Sequence, residues 1–163
     1  MGSHGISKII SGGQTGADRA ALDAAIEAGL PYGGSIPSGR RTEDGYLPMT
    51  YQGMTETKSR HYQVRTEKNV VDADATLLFT GRKIGSGSAL TRKAAEKHHK
   101  AFLHINLDKK TDDEIIDEVS QWLDDTKPAV LNIAGSRETE YEGIHGRVCG
   151  ILKRRKCTQV YLE

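Results

Sequence analysis

The stretch KIISGGQTGADR, residues 8–19, decides the fold of this chain. Two consecutive isoleucines predict a first strand, Lys8–Ser11, and glycines punctuate the residues that follow it. Apolar residues then gather on one side of Ala17–Ala28, and Gly29 is a typical helix stop. The stretch therefore predicts a strand, a tight glycine-rich turn and a helix.

The same alternation of short apolar runs and longer helical segments continues along the chain. Residues 37–61 lack periodicity, and such a long stretch is either functional or disordered; the charged residues in it favour a functional role. The further predicted strands are Tyr32–Ile36, Ala75–Phe79, Phe102–Ile105, Val130–Ala134 and an edge strand Gln159–Leu162, and the further helices are about Tyr62–Val71, Ser88–His99, one opened by the capping box Thr111–Glu114, and Gly143–Arg154.

Strands separated by helices predict a parallel sheet that is covered on both faces. The apolar runs Thr76–Phe79 and Val130–Ile133 fit strands that are buried on both sides. We therefore predict an α/β, three-layer Rossmann-like domain with a mainly parallel sheet of five or six strands in the order 2-1-3-4-5. This single ligand-binding domain spans residues 8–163, and residues 1–7 are set aside as terminal or vector-derived.

Composition limits the classes of function. The 163 residues carry 23 Lys+Arg against 22 Asp+Glu, so the net charge is 23 − 22 = +1. This balance argues against a dedicated nucleic-acid or membrane-surface protein. The apolar runs are far shorter than the ~20 residues that cross a bilayer, and no export signal opens the chain. We expect a cytoplasmic protein in which Cys149 and Cys157 are reduced.

Three turns at strand ends are candidate binding elements, because ligands of open parallel sheets bind beyond the carboxyl ends of the strands. The turns are Ser11–Arg19, Gly85–Thr91 and Ala134–Glu138. Glycines and free amides at a helix start can bind phosphate or a similar anion. The alternative is that these glycines only allow the backbone to make a tight turn. Thr15 and Asp18 have the spacing of a capping box, so Asp18 has a structural alternative.

Arginines supply the positive charge that a phosphate needs. Arg40 and Arg41 follow the second strand, and their guanidinium groups match phosphate oxygens, unless they form only a solvated basic loop. Arg65 lies near the start of its helix, where its side chain either reaches the ligand-binding edge of the sheet or pairs with another side chain on the helix surface. Neither a GxxxxGK[ST] nor a GxGxxG spacing is present, and the histidines have no metal-binding spacing, so we predict no protein-ligated metal.

Several motifs together resemble the putative molybdenum carrier family, which belongs with the Lonely Guy-like Rossmannoid proteins. These motifs are Ser11–Arg19, Ile36–Gly45, Arg65–Val70, Asp72–Thr76 and Asn132–Glu138, within a similarity that runs from about Lys8 to Leu152. The resemblance implies binding of the molybdenum cofactor, a phosphorylated pterin that carries its own metal through a dithiolene. Since related proteins are often oligomers, it also implies a homo-oligomer.

This chain differs from the related phosphoribohydrolases at one motif. Their PGGxGTxxE motif carries a catalytic glutamate, whereas the comparable turn here, Gly85–Thr91, has no glutamate until Glu96. Hydrolysis of nucleoside monophosphates is therefore the alternative function, with Glu43, Glu67 or Glu138 as substitute acids; a nucleotide sensor is a third.

Our hypothesis is a binding protein for a phosphorylated pterin or nucleotide-like ligand. Glycine-rich turns would hold its polar ends, and arginines would neutralise its phosphate. The predicted binding residues are Gly12, Gly13, Gln14, Thr15, Gly16, Arg40, Arg41, Arg65, Gly85, Ser86, Gly87, Ser88 and Arg137.

Overall fold

A computed structural model of the protein describes residues 5–154. Within these residues, six strands form one sheet, two short strands form a hairpin, and five α-helices flank the large sheet. The elements are β1 (Lys8–Ile10), α1 (Ala17–Glu27), β2 (Tyr32–Ile36), a 3₁₀ turn (Ser38–Arg40), β3 (Arg41–Thr42), β4 (Gly45–Tyr46), β5 (Met54–Glu56), α2 (Tyr62–Asp72), β6 (Ala75–Thr80), α3 (Ser86–Lys97), β7 (Ala101–Asn106), α4 (Asp112–Thr126), β8 (Val130–Gly135) and α5 (Ile144–Lys153).

The sheet has the order β5-β2-β1-β8-β6-β7, and every neighbouring pair is parallel. Helix α1 packs against α5, with α4 beside α5, and α2 packs against α3. The larger core joins the sheet to α1, α4 and α5, and a smaller cluster that includes Val70 and Ala95 lies under α2 and α3. The fold is thus the predicted three-layer α/β Rossmann-like architecture.

The predicted strand order was wrong. The fifth predicted strand, β8, lies between the first and the third, since Val130 pairs with Lys8 and Leu131 pairs with Ala75. The physical reason is burial on both faces: Leu131 and Ile133 are buried on one face of the strand and Asn132 is buried on the other, as expected for an interior strand. Strand β7, whose side chains are mostly half-buried, lies at the edge instead.

Residues 37–61 are ordered and add β5 to the sheet as its sixth strand. The Arg40 guanidinium organises this segment by donating hydrogen bonds to the carbonyl oxygens of Leu47, Pro48 and Tyr51 at 2.8–2.9 Å. Strand signals were weak here because β3, β4 and β5 have only two or three residues each. The predicted edge strand Gln159–Leu162 lies outside the described residues.

The helix starts differ in how they are capped. Thr111 caps α4 as predicted, its hydroxyl oxygen accepting from the Glu114 amide at 3.2 Å. Helix α1 follows Gly16 and α3 follows Gly85, and neither of these starts has a side-chain cap. Helix α3 begins at Ser86, two residues before the predicted start, so Ser86 and Gly87 belong to its first turn.

Candidate functional site

The turns after β1, β6 and β8 meet at one pocket at the carboxyl edge of the sheet, and the start of α2 closes its side. The pocket has a volume of about 300 Å³. It is lined by Gln14, Asp18, His61, Tyr62, Gln63, Arg65, Thr66, Ser86, Gly87, Ser88, Leu90, Thr91, Ala134, Gly135, Arg137 and Glu140.

The glycine-rich turn after β1 uses its own amides internally. The Gly13 amide donates to the Ser11 hydroxyl, and the Gln14 amide donates to the Asp18 carboxylate at 3.2 Å. The Thr15 amide donates to Oε1 of Gln14 at 3.1 Å. These amides are therefore not free to receive the phosphate of a ligand.

Gly16 serves the close approach of two turns. Its φ is +79°, and a Cβ at this position would lie 2.3 Å from the carbonyl oxygen of Ser136. Only glycine meets both conditions. The Thr15 hydroxyl strengthens the same junction by accepting from the Glu138 amide at 3.2 Å and donating to the Glu43 carboxylate.

Asp18 is buried at the pocket, with 6% of its side chain exposed. Oδ2 accepts the Gln14 amide and lies 3.9 Å from Nη2 of Arg65, whereas Oδ1 accepts no hydrogen bond from residues 5–154. Burial raises the pKa of Asp18 to about 6, although the charge of Arg65 and the Gln14 amide partly offset that rise. Asp18 can therefore gain or lose a proton near neutral pH.

Arg65 is held rigidly beside Asp18. Its guanidinium donates to the Thr66 hydroxyl at 2.8 Å and lies against Gly12, where a Cβ would come within 2.6 Å of Nη1. Its Nε is buried and has no hydrogen-bond partner among the described residues. Arg65 and Arg41 also lie over the Tyr62 ring, at 5.4 and 4.5 Å from its centroid. Together these contacts fix one wall of the pocket.

Helix α3 opens toward the pocket with unused backbone donors. No described residue accepts a hydrogen bond from the amides of Ser86, Gly87 or Ser88, and all three residues line the pocket. The first turn of α3 contains no acidic residue. A helix start of this kind carries a partial positive charge and suits an anion.

Arg137 faces α3 from the turn after β8. Its guanidinium lies 3.1 Å from the Glu140 carboxylate and 3.5 Å from that of Glu43. Glu43 also accepts the Thr139 hydroxyl at 2.6 Å. Burial opposes ionisation of Glu43, but hydrogen bonds from Thr139 and Thr15 outweigh it, so its pKa is lowered. Arg137 is thus a cation whose partners are two carboxylates.

The three glutamates that the sequence suggested as acids lie outside the pocket lining. Glu43 accepts hydrogen bonds from the hydroxyl groups of Thr15, in the turn after β1, and Thr139, after β8. Glu67 pairs with Lys97 and His98 on the surface of α2. Glu138 accepts the amides of Gly143 and His145 and so stabilises the start of α5.

The structure divides the predicted binding residues into two groups. Those in the pocket lining are Gln14, Arg65, Ser86, Gly87, Ser88 and Arg137. Those outside it, which support the surrounding turns, are Gly12, Gly13, Thr15, Gly16, Arg40, Arg41 and Gly85.

Sequence reasoning missed Glu140 and Tyr62, and it left Asp18 with a structural alternative and outside the predicted binding residues. Asp18 follows the β1 turn directly, and its position at the sheet edge was the signal for it. Tyr62 begins α2 at the same edge, so its place follows from the helix start. Glu140 had no signal, since its position depends on the path of residues 136–142.

Residues 5–154 lack two features. No group of three or more His, Cys, Asp or Glu side chains is placed to hold a metal ion. No helix in this part of the chain is long and apolar enough to cross a membrane.

This fold, with a polar pocket at the carboxyl edge of its sheet, defines a Rossmann-like α/β protein. The model of the circularly permutated YpsA SLOG family matches residues 9–155, and the chain belongs to that family. The crystal structure of a putative molybdenum carrier protein from Syntrophus aciditrophicus SB is similar over 97% of this chain and 96% of that one, with 44% sequence identity and a TM-score of 0.87. The predicted resemblance is thereby confirmed. No curated protein matches the chain.

Proposed function

We propose that this protein binds a phosphorylated planar heterocycle and carries the molybdenum cofactor, a phosphorylated pterin. The observation that supports this best is the meeting of unused α3 amides, Arg65 and Arg137 at one cavity of about 300 Å³. The name of the Syntrophus protein, a putative molybdenum carrier, supports the same class of ligand.

The phosphate of the ligand belongs at the start of α3. There the unused amides of Ser86, Gly87 and Ser88 are available to donate to it, and the guanidinium of Arg137, now paired with Glu140 and Glu43, lines the same pocket. This arrangement needs no lysine or divalent ion, and it holds a monoester phosphate by oriented donors on two sides.

The ring system of the ligand belongs between Tyr62 and Leu90, one helical turn along α3 from the phosphate. The aromatic and aliphatic side chains offer apolar contact area, and Leu90 remains 36% exposed. Asp18 and Gln14 present polar atoms to the edge of such a ring. A pocket with apolar walls and a few polar groups is typical of heterocycle binding.

Native mass spectrometry of freshly purified protein, with molybdenum measured in the same sample, tests the proposal. We expect a retained phosphorylated pterin and molybdenum in the wild type. Arg137→Gln should lose the ligand, whereas Arg154→Gln, which removes an equal charge at the end of α5, should keep it. Retention of a ligand without phosphate, or equal loss in both variants, would contradict the proposal.

Hydrolysis of a nucleoside monophosphate is a second candidate, and Asp18 favours it. In this reaction the Asp18 carboxylate takes a proton from water, whose oxygen bonds to C1′ while the C1′–N bond breaks and the proton passes to the departing base. Since a base must be deprotonated, the rate should rise as pH passes the Asp18 pKa of about 6.

A panel of nucleoside monophosphates separates the two candidates. Release of free base that is abolished in Asp18→Asn, but kept in Asp44→Asn, supports the enzyme. Tight nucleotide binding without release supports a sensor instead. Cytoplasmic location stays a prediction from the sequence, and self-association stays a prediction from the family resemblance.

A further inference from the structure

Glu140 lies where a ligand phosphate would lie. A Cβ added to Gly85, the residue that precedes α3, would come within 1.9 Å of Oε2 of Glu140. The other oxygen, Oε1, accepts the Arg137 amide at 2.9 Å and the Arg137 Nε at 3.1 Å. The carboxylate thus rests between the start of α3 and the arginine of the turn after β8.

The partner of Glu140, Arg137, and its neighbour, the start of α3, are both groups that the proposed function gives to the ligand. The guanidinium of Arg137 forms ion pairs with the carboxylates of Glu140 and Glu43. The Glu140 carboxylate lies close to the start of α3 at Gly85, although it accepts no hydrogen bond from the amides there, and the first turn of α3 has no acid of its own. An anion that enters here must therefore compete with Glu140 for the same positive charges.

The surroundings of Glu140 allow it to move. Its carboxylate borders the main pocket on one side and a second hollow, lined by Gly81, Arg82 and Tyr141, on the other. The only hydrogen bonds that it accepts from described residues come from Arg137. Displacement toward the second hollow breaks only those two hydrogen bonds of the carboxylate to described residues.

We propose that Glu140 is the specificity-determining residue of this pocket, an internal anion that a ligand must replace beside Arg137 and the start of α3. This inference rests on the proposed function. It follows that the site selects a dianionic phosphate monoester, because a singly charged group gains no more than the Glu140 carboxylate that it displaces.

The test is calorimetric binding of inorganic phosphate and of AMP to the wild type, Glu140→Gln and Glu142→Gln. Both variants lose one negative charge from the same turn, but Glu142 is exposed and lines neither the main pocket nor the second hollow. We expect Glu140→Gln to bind both probes about tenfold more tightly than the wild type, a gain of about 1.4 kcal/mol. Glu142→Gln should bind them as the wild type does.

Equal affinities of the two variants, or weaker binding by Glu140→Gln, would overturn the role of Glu140; the carboxylate would then only stabilise the helix start. If Glu140→Gln fails to fold, as judged by circular dichroism, Glu140→Ala takes its place with the same expected gain. Failure of the proposed function has a different signature, since then neither the wild type nor any variant binds phosphate or AMP.

Discussion

Asp18 and Arg65 lie side by side in the pocket lining, with Oδ2 of the aspartate 3.9 Å from Nη2 of the arginine. The separation is too long for a hydrogen bond, so the arginine only partly stabilises the charged aspartate. Desolvation therefore outweighs the attraction between them and raises the pKa of Asp18 to about 6. The Asp18 carboxyl group therefore gains or loses its proton near pH 6, and this raised pKa has measurable consequences for the stability of the protein.

The Asp18→Asn substitution should remove a loss of stability that the wild type undergoes when pH rises from acid to neutral. Since the folded-state pKa is about 6 and the model value is 3.8, the folded protein holds a proton that the unfolded chain has lost between these pH values. The wild type therefore loses stability as pH rises from about 4 to 6, by about 3 kcal/mol at most. Urea unfolding at pH 4 and pH 7.5 should show this loss in the wild type and not in Asp18→Asn.

Asp44→Asn should have the opposite pH dependence. Hydrogen bonds from Arg19 and Thr42 lower the pKa of Asp44 to about 2, so its charged form stabilises the fold above pH 4, and that contribution is lost as pH falls toward 2. The variant should be less stable than the wild type at pH 7.5, by under about 1 kcal/mol because Asp44 is half exposed. The same urea series measures this, and a gain in stability at pH 7.5 would contradict it.

His104 should make the protein sensitive to mild acid. Arg92 donates to its Nδ1 at 2.9 Å, and Nε2 lies 2.7 Å from the Thr80 hydroxyl; since guanidinium only donates, Nε2 carries the ring proton. Burial, together with the charges of Arg92 and Lys109, lowers the pKa of His104. The unfolded chain therefore takes up a proton below about pH 6.5 that the folded protein resists, and stability falls there.

The His104→Gln variant keeps a polar side chain but does not titrate. Its unfolding midpoint should change less than that of the wild type between pH 7 and pH 5.5. An equal change in the two proteins would exclude His104 as the cause.

Gly16→Ala should destabilise the fold strongly. The substituted residue would keep a φ of +79° and place its Cβ 2.3 Å from the Ser136 carbonyl oxygen. We expect a loss of at least about 2 kcal/mol in the free energy of unfolding. Gly150→Ala is the control, because a Cβ added at this position in α5 would have no atom within 4 Å. This substitution should stabilise the protein by about 0.5–1 kcal/mol. Similar effects of the two substitutions would refute the packing role of Gly16.

Sequence patterns predicted the layers of this fold but not the order of its strands. The apolar run Val130–Ile133 already indicated a strand buried on both faces, and such a strand belongs in the interior of the sheet. The order 2-1-3-4-5 nevertheless put it at an edge. A crossover through α4 that returns past β6 to pair with β1 leaves no local trace in the sequence, so burial was the better guide.

Local sequence patterns could not distinguish glycines that line the ligand pocket from glycines that allow another segment of the chain to pack closely. Gly16 and Gly87 both occur in glycine-rich turns at helix starts, yet Gly16 packs on Ser136 and Gly87 lines the pocket. The difference depends on which distant segment approaches each turn. The position of Glu140 depends on tertiary structure in the same way.

The central claim is that α3 and Arg137, rather than the turn after β1, receive the phosphate of the ligand. Titration of ¹⁵N-labelled protein with AMP, followed by amide chemical shifts, tests it most directly. We predict saturable shifts that are largest at Ser86, Gly87 and Ser88 and small at Gly13 and Thr15, whose amides already have partners. Shifts centred on Gly13 and Thr15, with Ser86–Ser88 unchanged, would contradict the claim.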